Sequence, residues 1–434
     1  MILSALAALH LASPLQVSRF HNARLTRQFS SLLRSSPTPS QSLSADAQTR
    51  THKNARLTRQ FSSLLRSSPT PSQSLPADAQ SPLINLQTIT ADELTTILTS
   101  WKEPKFRSKQ ILTWIRSEGV TDVNKMTNLP ITLREKLLLY STPGSLELVS
   151  NLISNRDGTV KRAYRLKDGP VIESVLMKYA DGRNTACISS QAGCAMGCVF
   201  CATGQMGLKR QLNSDEIFEQ VARFSTELLA AGEGQRLSNV VFMGMGEPLM
   251  NYKNVMTAVD RICDELGIGA SKITVSTVGV VPNIRKLILH PRQVRLAVSL
   301  HESDNASRSQ LIPANKRFGG LSELMASVSE YTQATNRRIT FEWALIKDEN
   351  DNVDTARNLG ELIQSYEIPP YLVHINVIPL NPTKYRGNAS NKSAVDAFCN
   401  VLKNEFKISC TPRMRRGIDI EAGCGQLATD LSAE

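Results

Sequence analysis

From Thr185 to its C-terminus the chain alternates β-branched runs with longer amphipathic stretches, and this rhythm constrains the fold more than any other feature of the sequence. Six runs predict strands, at 185–190, 239–243, 272–276, 294–299, 338–345 and 372–378. Between them, 214–231, 254–266, 319–335 and 353–366 are long enough for helices. Strand and helix in repeated alternation call for parallel strands joined by right-handed crossovers. An open doubly wound α/β sheet meets that requirement as well as a barrel does. A partial TIM-like (β/α)6 barrel is favoured because nearly every unusual residue falls at the C-terminal end of a predicted strand, where barrel enzymes gather their chemistry.

Upstream, 92–101, 106–118 and 133–140 read as helices, the first opening at a Thr90/Asp92 cap, which makes a small helical accessory domain over 83–145. Positions 149–179 alternate in the strand manner around turn signals at 155–158 and 167–169, which predicts a β-hairpin linker over 146–184 ahead of a barrel at 185–434. A chain of 434 residues has room for this division. Its richest apolar stretch, 2–12, is broken by Ser4 and His10 and falls far short of the roughly 18 apolar residues of a membrane span. No membrane role is expected.

The net charge of +11 is unevenly spread. Residues 1–80 hold nine Arg or Lys against Asp46 and Asp78, whereas the rest carries 41 basic and 37 acidic side chains, so bulk charge identifies no nucleic-acid partner for the folded part. Residues 22–48 recur as 54–80 with one change in 27, Pro76 replacing Ser44. Two Ser-, Pro- and Arg-rich copies have little to bury, so they read as a tandem duplication within a disordered leader over 1–82 rather than as a solenoid. An Arg- and Ser-rich, acid-poor N-terminus is the pattern of an organelle transit peptide, with plastid preferred to mitochondrion. Lacking that role, the leader would belong to a cytoplasmic protein. Eight cysteines, four of them within 15 positions, look like a metal site plus extras rather than a secreted disulfide framework.

Cys194, Cys198 and Cys201 form C-x3-C-x2-C just after the first predicted strand, with Gly193, Gly197 and Gly204 around them. Structural zinc prefers four ligands in two separated pairs; three close thiolates fit a 4Fe-4S cluster with one open iron. By chemistry alone Cys187 is a candidate fourth ligand. At the second strand end, Gly244-Met-Gly-Glu-Pro248 combines glycines with one acid, an arrangement able to receive an ammonium group through Gly246 and Glu247. Ser276, Ser299-Leu300-His301 and Asn381 bring hydroxyl, imidazole and amide groups to later strand ends. Each alone also reads as a satisfied polar group. Cys424 lies between glycines ten residues from the C-terminus, and Glu173 by composition is only a hairpin carboxylate. Lys209, Arg210, Arg413, Arg415 and Arg416 form basic patches consistent with phosphate contacts or with a solvated face.

The strings CISSQAGCAMGCVFCATG, VVFMGMGEPLMN, STVGVVP, VSLH, INVIPLNP and RGIDIEAGCGQL, in that order over about 84–434, resemble the radical S-adenosylmethionine (SAM) superfamily. Within it they resemble the RlmN/Cfr family of adenosine methyltransferases of large-subunit rRNA and tRNA. The resemblance implies a radical SAM barrel with one 4Fe-4S cluster on Cys194, Cys198 and Cys201. It implies SAM held at its amino group by Gly246 and Glu247, and at its ribose, carboxylate and adenine by Ser276, Ser299, Leu300, His301 and Asn381. Cys424 would carry the methyl group, Cys187 would resolve the enzyme–RNA adduct through a disulfide with Cys424, and Glu173 would accept the proton of the adenine carbon. A radical route suits the chemistry, because carbon 2 or carbon 8 of adenine is electron-poor and takes a methyl cation badly. The helical accessory domain would grip RNA by shape, and the target adenosine would be unstacked to enter a pocket.

The expectation is a monomeric enzyme making 2-methyladenosine in rRNA, with tRNA as a further substrate and a flavodoxin or ferredoxin as electron donor. Two alternatives stay open: methylation at carbon 8, and a non-catalytic RNA-binding protein with zinc in the cysteine loop. Leu208, Gln211 and Gly423 depart from the family's usual residues and bear on substrate preference. Cys263, Cys399 and Cys410 read as small buried hydrophobes.

Overall fold

A computed structural model describes residues 83–232, 235–384 and 389–428. The leader, its duplication and the transit reading lie outside the described residues. Strands β1 (Ile84–Asn85) and β2 (Ser141–Thr142) pair in parallel and bracket three helices, Ala91–Ser100, Phe106–Arg116 and Ile131–Tyr140. Thr90 opens the first with a reciprocal cap, its hydroxyl accepting from Glu93 N–H while Glu93 accepts from Thr90 N–H. Leu94 and Leu98, Ile111 and Ile115, Leu133 and Leu137 each repeat at helical spacing, so each helix turns one apolar stripe inward. These stripes form a small core of their own.

The remaining strands are β3 (Glu147–Ile153), β4 (Val160–Arg165), β5 (Val171–Lys178), β6 (Asn184–Cys187), β7 (Gln191–Gly193), β8 (Leu208–Gln211), β9 (Asn239–Phe242), β10 (Ile273–Thr277), β11 (Arg295–Ser299), β12 (Ile339–Leu345), β13 (Val373–Pro379) and β14 (Ser409–Pro412). Ten of them form one sheet in the order β14-β13-β12-β11-β10-β9-β6-β5-β4-β3. From β6 to β14 along that order the pairing is parallel; β5, β4 and β3 continue it antiparallel. Helices Ser214–Ala230, Tyr252–Leu266, Val281–Ile288, Gly320–Thr335, Val353–Ser365 and Lys392–Asn404 fall between the parallel strands. The architecture is a partial TIM-like barrel, and its core includes Phe242, Phe341, Trp343 and Phe398.

All six predicted strands are present. Three features differ from expectation. The segment 146–184 is not a separate linker: β5 hydrogen-bonds along β6, from Val175 opposite Cys187 to Lys178 opposite Asn184. The first predicted strand stops at Cys187, and Gln191–Gly193 pairs instead with β8 in a two-stranded ladder that holds the cysteine loop. A seventh parallel strand, β14, went unpredicted because it is four residues long, ends in Pro412 and occupies the sheet edge, where neither alternation nor every N–H is needed.

The helical module is fastened to the barrel through buried Glu219, on helix Ser214–Ala230. Its carboxylate accepts from Ser145 N–H and Leu146 N–H at 2.9–3.0 Å and from Asn85 Nδ2 at 2.9 Å, and pairs with Arg223 at 2.7 Å. On the same helix, Phe218 lies under the guanidinium groups of Arg116 and Arg261, 5.1 and 4.1 Å from its ring centre. Among the described residues no helix is long and apolar enough to cross a membrane.

Candidate active site

At the C-terminal ends of β9 to β13 the strands surround a cleft of about 770 Å³. Gly246, Glu247, Ser276, Ser299, His301 and Asn381 all line it, together with Cys201 and Cys424. Eight of the thirteen residues singled out from the sequence thus converge on one concave space at the strand ends.

The glycines after β9 serve the chain itself. Gly246 has φ +99, and a Cβ there would sit 2.5 Å from Gln191 Cβ; one on Gly244 would sit 2.7 Å from the Ile188 carbonyl. Close packing of 188–191 against 244–247 follows, and Gln191 Oε1 accepts from Glu247 N–H at 2.8 Å. Glu247 is buried, its two oxygens accepting from Leu249 N–H at 3.0 Å and Val278 N–H at 2.8 Å. Burial outweighs those donors and pushes its carboxyl up to about 7.

His301 stands at φ +67, held by Asn350 Nδ2 on its carbonyl at 2.9 Å. Its Nδ1 accepts from Ala344 N–H at 2.8 Å, which leaves the ring proton of the neutral form on Nε2. Burial, and then Arg308, depress its pKa to about 3. It is a fixed neutral donor and not a titrating base. Phe200, next to the last cysteine of the loop, stacks edge-on to it with ring centres 4.8 Å apart.

Cys194, Cys198 and Cys201 occupy a loop with its own small core, including Met196, Leu311 and Ile312. Gln205 Nε2 donates to the Cys198 carbonyl at 2.9 Å, and a Cβ on Gly204 would press on the Cys198 backbone at 3.0 Å. Burial raises all three thiols, that of Cys194 to about 12, with the neighbouring thiols adding to the shift at each. Three thiols on one short loop, near enough that Cys194 and Cys201 raise the pKa of Cys198, fit a 4Fe-4S cluster with one open iron. Asn381 Oδ1 is buried on the cleft wall with no hydrogen-bond partner among the described residues, an acceptor able to meet a ligand such as SAM.

Cys424 borders this cleft and a second one of about 490 Å³, whose walls include Cys187, Val175, Met177 and Arg413. Both cysteines are free thiols. Burial pushes the Cys187 thiol up to about 12, with Cys424 adding to the rise and Arg413 opposing it. Cys187 belongs to this second cleft and does not join the three-cysteine loop. The Cys424 loop is strapped to that loop: Ala202 N–H donates to the Gly425 carbonyl at 2.7 Å, and Thr203 Oγ1 donates to the Leu427 carbonyl. Asn381 Nδ2 braces it at the Cys424 carbonyl, 3.0 Å away.

Several residues are placed differently from the sequence reading. Leu300 is fully buried in the core, its N–H donating to the Glu342 carbonyl at 3.1 Å, and does not line the cleft. Glu173, also fully buried, lines neither cleft. Arg210 is bound bidentately by Asp168 and Glu216, so it is not a spare phosphate contact. Arg413 is 21% exposed and turns inward to Met243 Sδ at 3.4 Å and Glu342 at 3.8 Å.

Sequence reasoning missed three contributors. Arg308, 1% exposed, donates to the carbonyls of Val278, Ser299 and Leu300 and so fixes two strand-end loops. Glu342 and Asn376, joined at 2.7 Å, brace Arg413. An acid inside the apolar run of β12 was the available signal for Glu342; nothing local marks Arg308.

Comparison with known proteins agrees with this geometry. Residues 84–141 match the ribosomal RNA large subunit methyltransferase N-terminal domain, and residues 188–359 match the radical SAM superfamily. The chain is 45% identical to the dual-specificity RNA methyltransferase RlmN 1 of Myxococcus xanthus, over 79% of this chain and 94% of that one. It is 44% identical to the probable dual-specificity RNA methyltransferase RlmN of Chloroflexus aurantiacus, over 77% and 90%. The crystal structure of a radical SAM methyltransferase from Sphaerobacter thermophilus superposes with a TM-score of 0.71 at 41% identity, covering 79% of this chain and 99% of that one. With a helical module, a partial barrel and a cysteine-lined cleft in common order, the chain belongs to the RlmN family of radical SAM methyltransferases.

Proposed function

We propose that this enzyme methylates carbon 2 of an adenosine in large-subunit rRNA, with tRNA as a second substrate, using SAM and a 4Fe-4S cluster. The observation that carries the reading is the single cleft shared by Cys201, Glu247, Ser276, Ser299, His301, Asn381 and Cys424. When bound, the cluster on Cys194, Cys198 and Cys201 supplies one electron, and SAM supplies the methyl group and the means of hydrogen abstraction.

The chain's own residues do the rest. Glu247, once ionised, receives the SAM ammonium with the oxygen lone pairs its two backbone donors leave over. His301 offers Nε2–H, the serines offer hydroxyls, and Asn381 offers its spare Oδ1. Cys424 takes the methyl group and carries it to the ring carbon. Cys187, across the second cleft, attacks the Cys424 sulfur as a thiolate; the sulfur–carbon bond to the product breaks with its electron pair on that carbon, which takes up a proton, and the transient disulfide left behind is reopened by a thiol reductant. Glu173 accepts the ring proton. The helical module over 83–145 and the exposed Lys209 and Arg415 contact RNA backbone, the protein works as a monomer, a flavodoxin or ferredoxin reduces it, and the leader directs it to a plastid.

The reading is tested by anaerobic reconstitution followed by iron and sulfide analysis, on the wild type and on Cys198→Ala, and by nucleoside mass spectrometry of treated rRNA and tRNA. About four irons per chain, lost in the variant, and 2-methyladenosine in both RNAs support it. Stoichiometric zinc without iron points to the RNA-binding alternative, and 8-methyladenosine reassigns the carbon.

A further inference from the structure

Lys161, on β4, links the Glu173 carboxylate to the main chain just ahead of Cys424. Its Nζ lies 3.4 Å from Glu173 Oε1 and donates to the Glu421 carbonyl at 3.2 Å, three residues before Cys424. The Lys161 side chain is 10% exposed and that of Glu173 is fully buried. The β4–β5 register sets Lys161 opposite Val175 and Ala163 opposite Glu173, so Lys161 and Glu173 are diagonal neighbours on the sheet face that carries Val175 toward the Cys187–Cys424 cleft. Lys161 also borders a polar cleft of about 660 Å³ with Ala202, Pro382, Glu421 and Gln426, and Glu173 does not.

A carboxylate taken out of water needs a counter-charge and donors in good geometry. An ammonium held by a carboxylate on one side and a main-chain carbonyl on the other acts as a strut between β5 and the Cys424 loop. We propose that Lys161 is a positioning residue for adenosine methylation: it aims the Glu173 carboxylate and fixes its distance from the methyl-carrying cysteine. This inference rests on Glu173 being the proton acceptor, and it adds no covalent step of its own.

The test uses the full chain, reconstituted, with Lys161→Met, Lys161→Arg, Glu173→Gln and the double substitution. Lys161→Met is expected to take a methyl group from SAM onto Cys424 at near wild-type extent while its yield of methyladenosine falls roughly a hundredfold, the scale of losing a general base. Lys161→Arg regains a substantial part. Lys161→Met with Glu173→Gln does no worse than the poorer single variant, because both act on one route. Without cofactors, the unfolding midpoint drops in Lys161→Met, which takes a counter-charge from a buried carboxylate, and recovers in part in the double variant.

Product within about twofold of wild type in Lys161→Met, with Glu173→Gln inactive, overturns the inference and leaves the Glu173 reading standing. Loss of Cys424 methylation in step with product loss also overturns it, by showing a purely structural role. An active Glu173→Gln removes the Glu173 reading and the role of Lys161 with it.

Discussion

At the scale of single residues, the cleft relies on groups whose charge the protein sets by burial. Glu247 is the clearest case, since its carboxyl is pushed up to about 7 by desolvation. The ionised form attracts the SAM ammonium, so SAM binding to the reconstituted enzyme is expected to tighten as pH rises through about 7 and to level off near 8, where an α-amino group begins to lose its proton. Glu247→Gln removes that dependence and costs about 2 kcal/mol or more of affinity; a calorimetric titration series from pH 5.5 to 8.5 reads both. His301, depressed to about 3, contributes no step near neutral pH. The donors of this site were legible in the sequence because they stand at strand ends in short polar motifs. The bracing residues Arg308 and Lys161 were not, since a buried charge is recognisable only once its partners, 7 to 260 residues away, are in place.

At the scale of elements, the helix Ser214–Ala230 joins the N-terminal module to the barrel through Glu219. Burial raises this carboxyl, but Arg223 and the donors of Ser145 and Leu146 outweigh it and hold it below the usual range. A depressed carboxyl stabilises the fold above its unfolded pKa and loses that contribution as pH falls through its folded value. Acid unfolding is therefore expected to begin at this junction, and Glu219→Ala to cost about 3–5 kcal/mol at neutral pH, read by denaturant titration with protease sensitivity at 141–146 as the local probe. A cost near zero would show that the module is held by other contacts. The helix itself was predicted to within one residue, because Asn213 and Glu216 form a reciprocal cap and its apolar stripe is continuous. Helices Val281–Ile288 and Asn305–Leu311 were missed: they are short, and one opens with a proline at its first turn. Strand β14 was missed for the related reason that four edge residues carry no period.

At the scale of the whole molecule, one sheet carries most of the groups the chemistry needs, and the β7–β8 ladder holds the cysteine loop. Its antiparallel wing carries Glu173 and Lys161, its first parallel strand carries Cys187, and the remaining strand ends form the cleft that Cys424 closes. The alternation of strand and helix made the barrel legible, whereas the fusion of the hairpin segment to it was not, since pairing partners of β5 are set by register and not by local pattern. The first 80 residues are proposed to act as a plastid address. Fused to a fluorescent reporter, they are expected to bring it into plastids; a reporter that stays in the cytosol removes that reading and leaves the enzyme's chemistry untouched. Whether Cys424 carries the methyl group beside the cluster is read by following the label itself. The reconstituted enzyme is given SAM with a trideuterated methyl group and then unlabelled SAM with RNA, and the Cys424 peptide and the nucleosides are read by mass spectrometry. Deuterium is expected first in the methyl group on the Cys424 sulfur and then, less one deuterium atom, on adenosine carbon 2. A fully deuterated methyl reaching RNA from an enzyme whose Cys424 was never labelled would contradict it.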